Sequence, residues 1–191
     1  MNEAYGQFTA RGEVRFVRQL PGTVERVWAF LTESEQRSRW LAGGTMDLRV
    51  GGRVELVFNH VNITPHSEPV PEKYRAAACG HPMTGRITRC EPPRVLAYTW
   101  GEADGSDSEV TFELTPETAG STRLVLTHRR LGDNRDMILS VSAGWHAHVA
   151  ILIARVADAP VPPFWSVHAK LEEDYARLLD AAGRRPAPST G

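Results

Sequence analysis

One apolar segment, Ile138 to Val156, constrains this chain more than any other, and Gly144-Trp145-His146-Ala147-His148 lies at its centre. Ile138, Val141, Trp145, Val149, Leu152 and Val156 recur at three- and four-residue steps, which lays them on one helical face. A long helix with such a face needs an apolar surface to cover it, and a curved sheet wrapped around the helix supplies one. A glycine in mid-helix costs about 1 kcal/mol relative to alanine. Close approach of the Gly144 backbone to the sheet, with the indole beside it, is the expected offset. His148 follows Trp145 by three residues, at the edge of the stripe, so the helix presents an apolar wall with a polar group beside it. A ligand pocket needs such a wall, and so does an ordinary core.

The strands for that sheet are legible upstream. Glu13 to Leu20 alternates, with Val14 and Phe16 on one face. Pro21-Gly22 ends it, and Thr23 caps a helix from Val24 to about Leu31. Arg26 stands where a capping box would place Glu or Gln, so the cap is partial. Thr32 to Trp40 reads as a second short helix stopped by Gly43-Gly44. Met46 to Val50 and Arg53 to Asn59 read as strands joined by a Gly51-Gly52 hairpin, with Val54, Leu56 and Phe58 sharing a face. Strands resume over Thr84 to Cys90 and, past Pro92-Pro93, over Val95 to Trp100, where Leu96, Tyr98 and Trp100 share a face. After a polar loop, Gly101 to Asp107, come Glu109 to Thr115, with Val110, Phe112 and Leu114 on one side, and Thr122 to Leu131, with Leu124, Leu126 and His128 on one side. Such alternation fits antiparallel strands with one face buried. Strands in a run with segregated helices predict an α+β fold.

The 191 residues suffice for one domain with a real core. Its expected extent is 10–159, with a Pro-rich insertion at 60–83 that carries Pro65, Pro69, Pro71 and Pro82 and shows little periodicity. A stretch so long is expected to be a lid or disordered. Pro160, Pro162 and Pro163 interrupt the last helix. A helical pattern returns from Phe164 to Ala181, with Val167, Leu171, Tyr175, Leu178 and Leu179 as its stripe. It makes a C-terminal extension over 160–182, followed by a tail, 183–191, expected to be disordered.

Charge is balanced at a formal net of −1, which argues against a nucleic-acid partner. No apolar run is read as transmembrane, and the N-terminal residues show no secretory pattern, so a cytoplasmic protein without a membrane partner is expected. Cys79 and Cys90 make no disulfide framework and read as reduced thiols. Cys79-Gly80-His81 lacks zinc-type partner spacing, and His146 and His148 point to different sides of a helix, so no metal is expected. No phosphate loop follows Gly43-Gly44 or Gly51-Gly52, and Gly-x-Ser-x-Gly is absent. No cofactor is expected.

Several motifs together resemble the START-like superfamily with the helix-grip fold. They are Pro21-Gly22-Thr23-Val24-Glu25-Arg26-Val27-Trp28, Trp40-Leu41, Gly51-Gly52-Arg53, Gly85, Glu91 to Leu96, Tyr98-Thr99-Trp100, Thr127-His128 and Gly144-Trp145. The nearest branch is the one similar to the C-terminal domain of the activator of heat-shock protein 90 ATPase. The resemblance covers roughly Val14 to Val156 and departs from the family in the extension beyond Phe164. It implies a cavity between the curved sheet and the long helix. Members bind lipids, hormones or polyketides, and some cyclise or hydrolyse.

From this follow the candidate ligand contacts: Phe58, Tyr98, Trp100, Phe112, Leu126, His128, Val141, Trp145, His148 and Leu152. Each is equally a core residue, because the concave face of the sheet is both core and lining. His128 and His148, with Asp136 nearby, are the only candidates for acid–base chemistry, against the plain reading of hydrogen-bonded buried histidines. Three functions stand side by side. They are a binding protein for a small apolar or aromatic molecule, a cyclase- or hydrolase-like enzyme using cavity histidines, and a chaperone co-factor or homodimer pairing through the C-terminal helix.

Overall fold

The computed structural model describes residues 5–101, 108–118 and 120–183. Seven strands form one antiparallel sheet: β1 (Gln7–Ala10), β2 (Glu13–Pro21), β3 (Arg53–Asn59), β4 (Cys79–Glu91), β5 (Val95–Thr99), β6 (Glu109–Thr118) and β7 (Ser121–Arg129). Their spatial order is β1-β2-β7-β6-β5-β4-β3. The helices are α1 (Val24–Thr32), α2 (Ser34–Ser38), α3 (Arg135–Val156) and α4 (Trp165–Gly183). The curved sheet grips α3, so the α+β helix-grip architecture holds.

Register places the inward side chains in rows across the sheet. Val14 pairs with His128, His128 with Val110, and Val110 with Tyr98. The next row joins Phe16, Leu126, Phe112 and Leu96. All eight are buried, as their alternation requires. On α3, Trp145, Val149, Leu152 and Val156 are buried, and Ile138 and Val141 half-buried. Ala143, Ala147, Ile151 and Ala154 are buried as well, because α4 packs along another side of the same helix. Burial therefore extends beyond the one-sided stripe, although the first turn is exposed and His146, Ala150 and Ile153 are only half-buried. By length and composition α3 also qualifies as a membrane-crossing helix, which the sequence reading did not allow; here it is the core. Its ends are conventional: Asn134 accepts from the Met137 amide at 3.1 Å, with Asp136 in the first turn and Arg155 in the last.

Several expectations need correction. β1 was not foreseen; it folds back on β2 through Gly12 at φ +68°. Met46 to Val50 is not a strand. An isolated bridge joins Met46 to Val54, and just upstream another joins Gly43 to Val57. Gly51-Gly52 is a tight reversal rather than a hairpin: a Cβ on Gly52 would stand 2.0 Å from the Asp47 carbonyl oxygen. β4 begins at Cys79, inside the stretch read as insertion, and Glu72–Ala77 is a 3-10 helix. Arg26, wrong for a capping box, reaches instead to the Val156 carbonyl at 3.0 Å and Asp158 at 2.7 Å, tying α1 to the end of α3. On α4, Leu171 and Tyr175 are buried, and Leu178 is 39 % exposed. Most of the polar loop predicted at 101–107 and nearly all of the predicted tail lie outside the described residues.

Gly85 in β4 carries a sharp packing demand. A Cβ there would lie 2.1 Å from the Thr99 carbonyl oxygen on the neighbouring strand. Gly85→Ala is expected to cost about 1–3 kcal/mol, the usual range for overpacking. Urea unfolding should show a lower midpoint with an unchanged slope.

Candidate functional site

A cavity of about 400 Å³ opens beside α3, within the size range of small-molecule sites. Four parts of the chain enclose it. The sheet contributes Phe58 and Trp100, and α3 contributes Val141, Gly144, Trp145 and His148. The segment between β3 and β4 adds His60 and Tyr74, and the start of α4 adds Phe164, Trp165 and His168. No Asp, Glu, Lys or Arg is among the described residues that line it.

Gly144 behaves opposite to the sequence expectation. It does not approach the sheet; a Cβ built on it meets nothing within 4 Å. It lines the cavity, so the missing side chain leaves space there. The neighbouring indole is held from behind. Trp145 Nε1 donates to His128 Nδ1 at 2.9 Å, and the ring meets Trp100 edge-on at 4.9 Å and Phe112 at 5.7 Å. His128 is 0 % exposed and does not line the cavity. It accepts through Nδ1, so its proton sits on Nε2, and burial pushes its pKa down to about 3.

His148 lines the cavity and makes a different pair from the one the sequence offered. Its Nδ1 lies 2.6 Å from the Trp40 carbonyl oxygen, which can only accept, so Nδ1 carries the proton. Its Nε2 faces His60 Nε2 at 3.2 Å. His60 stacks on both Phe58, at 5.4 Å, and Phe164, at 5.0 Å. Burial lowers His60 to about 4, with smaller pushes the same way from His168 and His81 and an opposing one from the Ala77 carbonyl. His148 lies well below its ordinary value, mainly through burial and then through His60. His168 is lowered by burial against the pull of Glu172.

The elements that close the cavity hold each other. The Glu68 carboxylate accepts from the backbone N–H of Trp165 and Ser166, both at 2.9 Å, and so caps α4. Burial pushes this carboxyl up, but those bonds bring it below the usual range. Lys73 bonds Glu172 at 2.7 Å, the Tyr74 hydroxyl bonds Glu172, and His66 Nε2 donates to the Val161 carbonyl at 2.9 Å. The segment expected to be a lid or disordered is thus an ordered cover fastened to α4.

Of the residues predicted as contacts, Phe58, Trp100, Val141, Trp145 and His148 line the cavity. Tyr98, Phe112, Leu126, His128 and Leu152 lie in the core behind it. Asp136 is exposed in the first turn of α3 and takes no part. Sequence reasoning missed His60, Tyr74, Trp165 and His168. A signal for His60 existed: it continues the inward alternation of Val54, Leu56 and Phe58. The other three come from segments whose position only the folded chain defines.

A family model described as activator of Hsp90 ATPase homolog 1-like protein matches residues 21–157. Among solved structures, one of a protein from Bordetella parapertussis is 44% identical, covers 92% of this chain and 91% of its own, with a TM-score of 0.76. CalU16 from Micromonospora echinospora is 26% identical, covering 87% and 88%, with a TM-score of 0.64. An Aha1 dimer from Colwellia psychrerythraea, 14% identical and covering 75% and 95% with a TM-score of 0.58, shares the fold. No curated protein matches the chain.

The buried histidines make stability pH-dependent. The unfolded chain takes up protons near the ordinary value of about 6.5, while folded His60 and His128 resist until about 4 and about 3. Stability is therefore fully present above about 6.5 and lost as pH falls toward the folded values. Thermal unfolding followed by circular dichroism should show a melting temperature that drops from about pH 7 to about pH 5. His60→Phe should flatten that slope.

Proposed function

The chain belongs to the activator of Hsp90 ATPase homolog 1-like family, and on that premise we propose that it binds a small apolar or aromatic molecule in the cavity beside α3. The observation that carries this reading is a cavity of about 400 Å³ bounded by aromatic rings and left open at Gly144. Placing an apolar molecule there removes apolar surface from water on both partners, at roughly 25 cal/mol per Å² before the costs of association. The ring walls favour a flat ligand, which can meet edges and faces without forcing rotamers. The 60–83 segment and the 160–182 extension serve, in this reading, as closing elements of the ligand-binding domain.

The enzyme alternative gains one specific observation: His148 and His60 face each other through their Nε2 atoms, with the Trp40 carbonyl fixing the outer proton. A relay of that kind can hand on a proton. Burial keeps both rings neutral, and the described lining holds no carboxylate to pair with them. Binding is accordingly the better-supported function. Pairing of two copies through α4 is less favoured, because Leu171 and Tyr175 are already buried within the same chain.

The test is titration with N-phenylnaphthylamine, an uncharged probe whose emission rises in apolar surroundings. Wild-type protein should bind it with saturable enhancement. Gly144→Leu places a side chain in the open space and should weaken binding at least about tenfold, or about 1.4 kcal/mol, while the circular dichroism spectrum is unchanged. Equal binding by the variant would remove the cavity as the site.

A further inference from the structure

Three of the described residues that line the cavity, His60, Trp165 and His168, each carry a buried polar atom without a hydrogen-bond partner. Trp165 is 6 % exposed, lines the cavity, and its Nε1 has no hydrogen-bond partner among the described residues. An indole N–H is a donor only, so this atom calls for an acceptor. The His60 ring centroid is 5.7 Å from the Trp165 ring. The proton inventory of the histidine pair fixes what His60 offers. His148 donates through Nδ1 to Trp40, so its Nε2 is a lone pair, and His60 must supply the proton between the two Nε2 atoms. His60 Nδ1 is then a buried lone pair. The Ala77 carbonyl lies near His60, but Nδ1 meets no partner in hydrogen-bond geometry. It calls for a donor.

We propose that Trp165 and His60 form a subsite for a hydroxyl group carried on an aromatic ring. One hydroxyl oxygen accepts from Trp165 Nε1 and donates its proton to His60 Nδ1, so a single atom meets both demands. A carbonyl or ether oxygen answers Trp165 and leaves His60 unmet. A carboxylate would bring a charge into a cavity whose described lining holds no Lys or Arg, at a high desolvation cost. The Tyr74 hydroxyl does not compete for the ligand, being engaged with Glu172 and Ser140. His168, whose Nδ1 is also unpartnered, stands 6.0 Å from the Trp165 ring and 3.9 Å from Glu172. The aromatic body of the ligand would extend from this end toward Trp100 and Trp145. Both Trp165 and His60 come from closing elements, so the cover would also select the ligand.

The proposal rests on the cavity reading above, and three naphthalene probes separate the two. Equilibrium dialysis against the full chain measures naphthalene, naphthol and naphthyl methyl ether. Naphthol is expected to bind at least about tenfold more tightly than naphthalene, and the ether should fall well short of naphthol because it cannot donate to His60. Trp165→Phe should bring naphthol to the level of naphthalene measured with the same variant. His60→Phe, a second variant on the other closing element, should abolish the preference of naphthol over the ether. Saturable binding of naphthalene and naphthol with equal affinity would overturn the subsite and leave the cavity reading intact. Binding of neither would overturn both. A naphthol preference that survives Trp165→Phe and His60→Phe would place the hydroxyl elsewhere and overturn the assignment.

Discussion

The hydrogen bond from Trp145 to His128 joins the two halves of this molecule. A buried indole N–H without a partner costs about 1–3 kcal/mol. His128 supplies the acceptor from the middle of a cross-strand row, between Val14 and Val110. The pairing sets the rotation of α3 against the sheet and the direction of the indole plane. Once Trp145 is so placed, Gly144 and His148 face the cavity, and His146 turns to the far side, where it meets the Tyr175 hydroxyl at 3.0 Å. His128, one of the two histidines that the sequence offered for acid–base chemistry, supports the wall.

A cavity in a small domain needs something to keep it from collapsing, since voids forfeit packing contacts. Here the closing elements are fastened to each other. Glu68 caps α4, Lys73 and Tyr74 hold Glu172, His66 holds Val161, and Arg155 reaches the Ile63 carbonyl at 3.2 Å. These bonds span the 3-10 helix, the Pro-rich stretch and α4, and they let the cover rest on the helices. The rings beneath it sit in edge-on and stacked contacts with one another. The result is an aromatic chamber with a few polar atoms on the cover side.

The legibility of these parts from sequence follows the range of the interactions that make them. Alternation in β2, β6 and β7 and the period of α3 are local, and they placed Val14, Phe16, Phe112, Leu126 and Trp145 inward correctly. The strand expected over Met46 to Val50 failed because two glycines there serve a backbone reversal. The strand over Cys79 to Met83 was hidden because Gly80 and Pro82 mask its pattern, and pairing with β3 decides it. The site divided in the same way. Five predicted contacts line the cavity and five lie behind it, since strand parity tells in from out but not how deep.

The sequence by itself determined the fold class and the face each strand and helix turns inward, because those follow from side-chain periods of two and 3.6 residues. It also determined that Trp145 and His148 would share a helix with an apolar wall. Only the tertiary structure decided that His128 supports Trp145, that His148 pairs with His60, and that Trp165 closes the chamber. The two histidine contacts join residues 17 and 88 positions apart, and Trp165 arrives across a Pro-rich segment and a helix break whose paths no local pattern encodes. Their geometry exists only when the sheet, α3 and α4 are packed together.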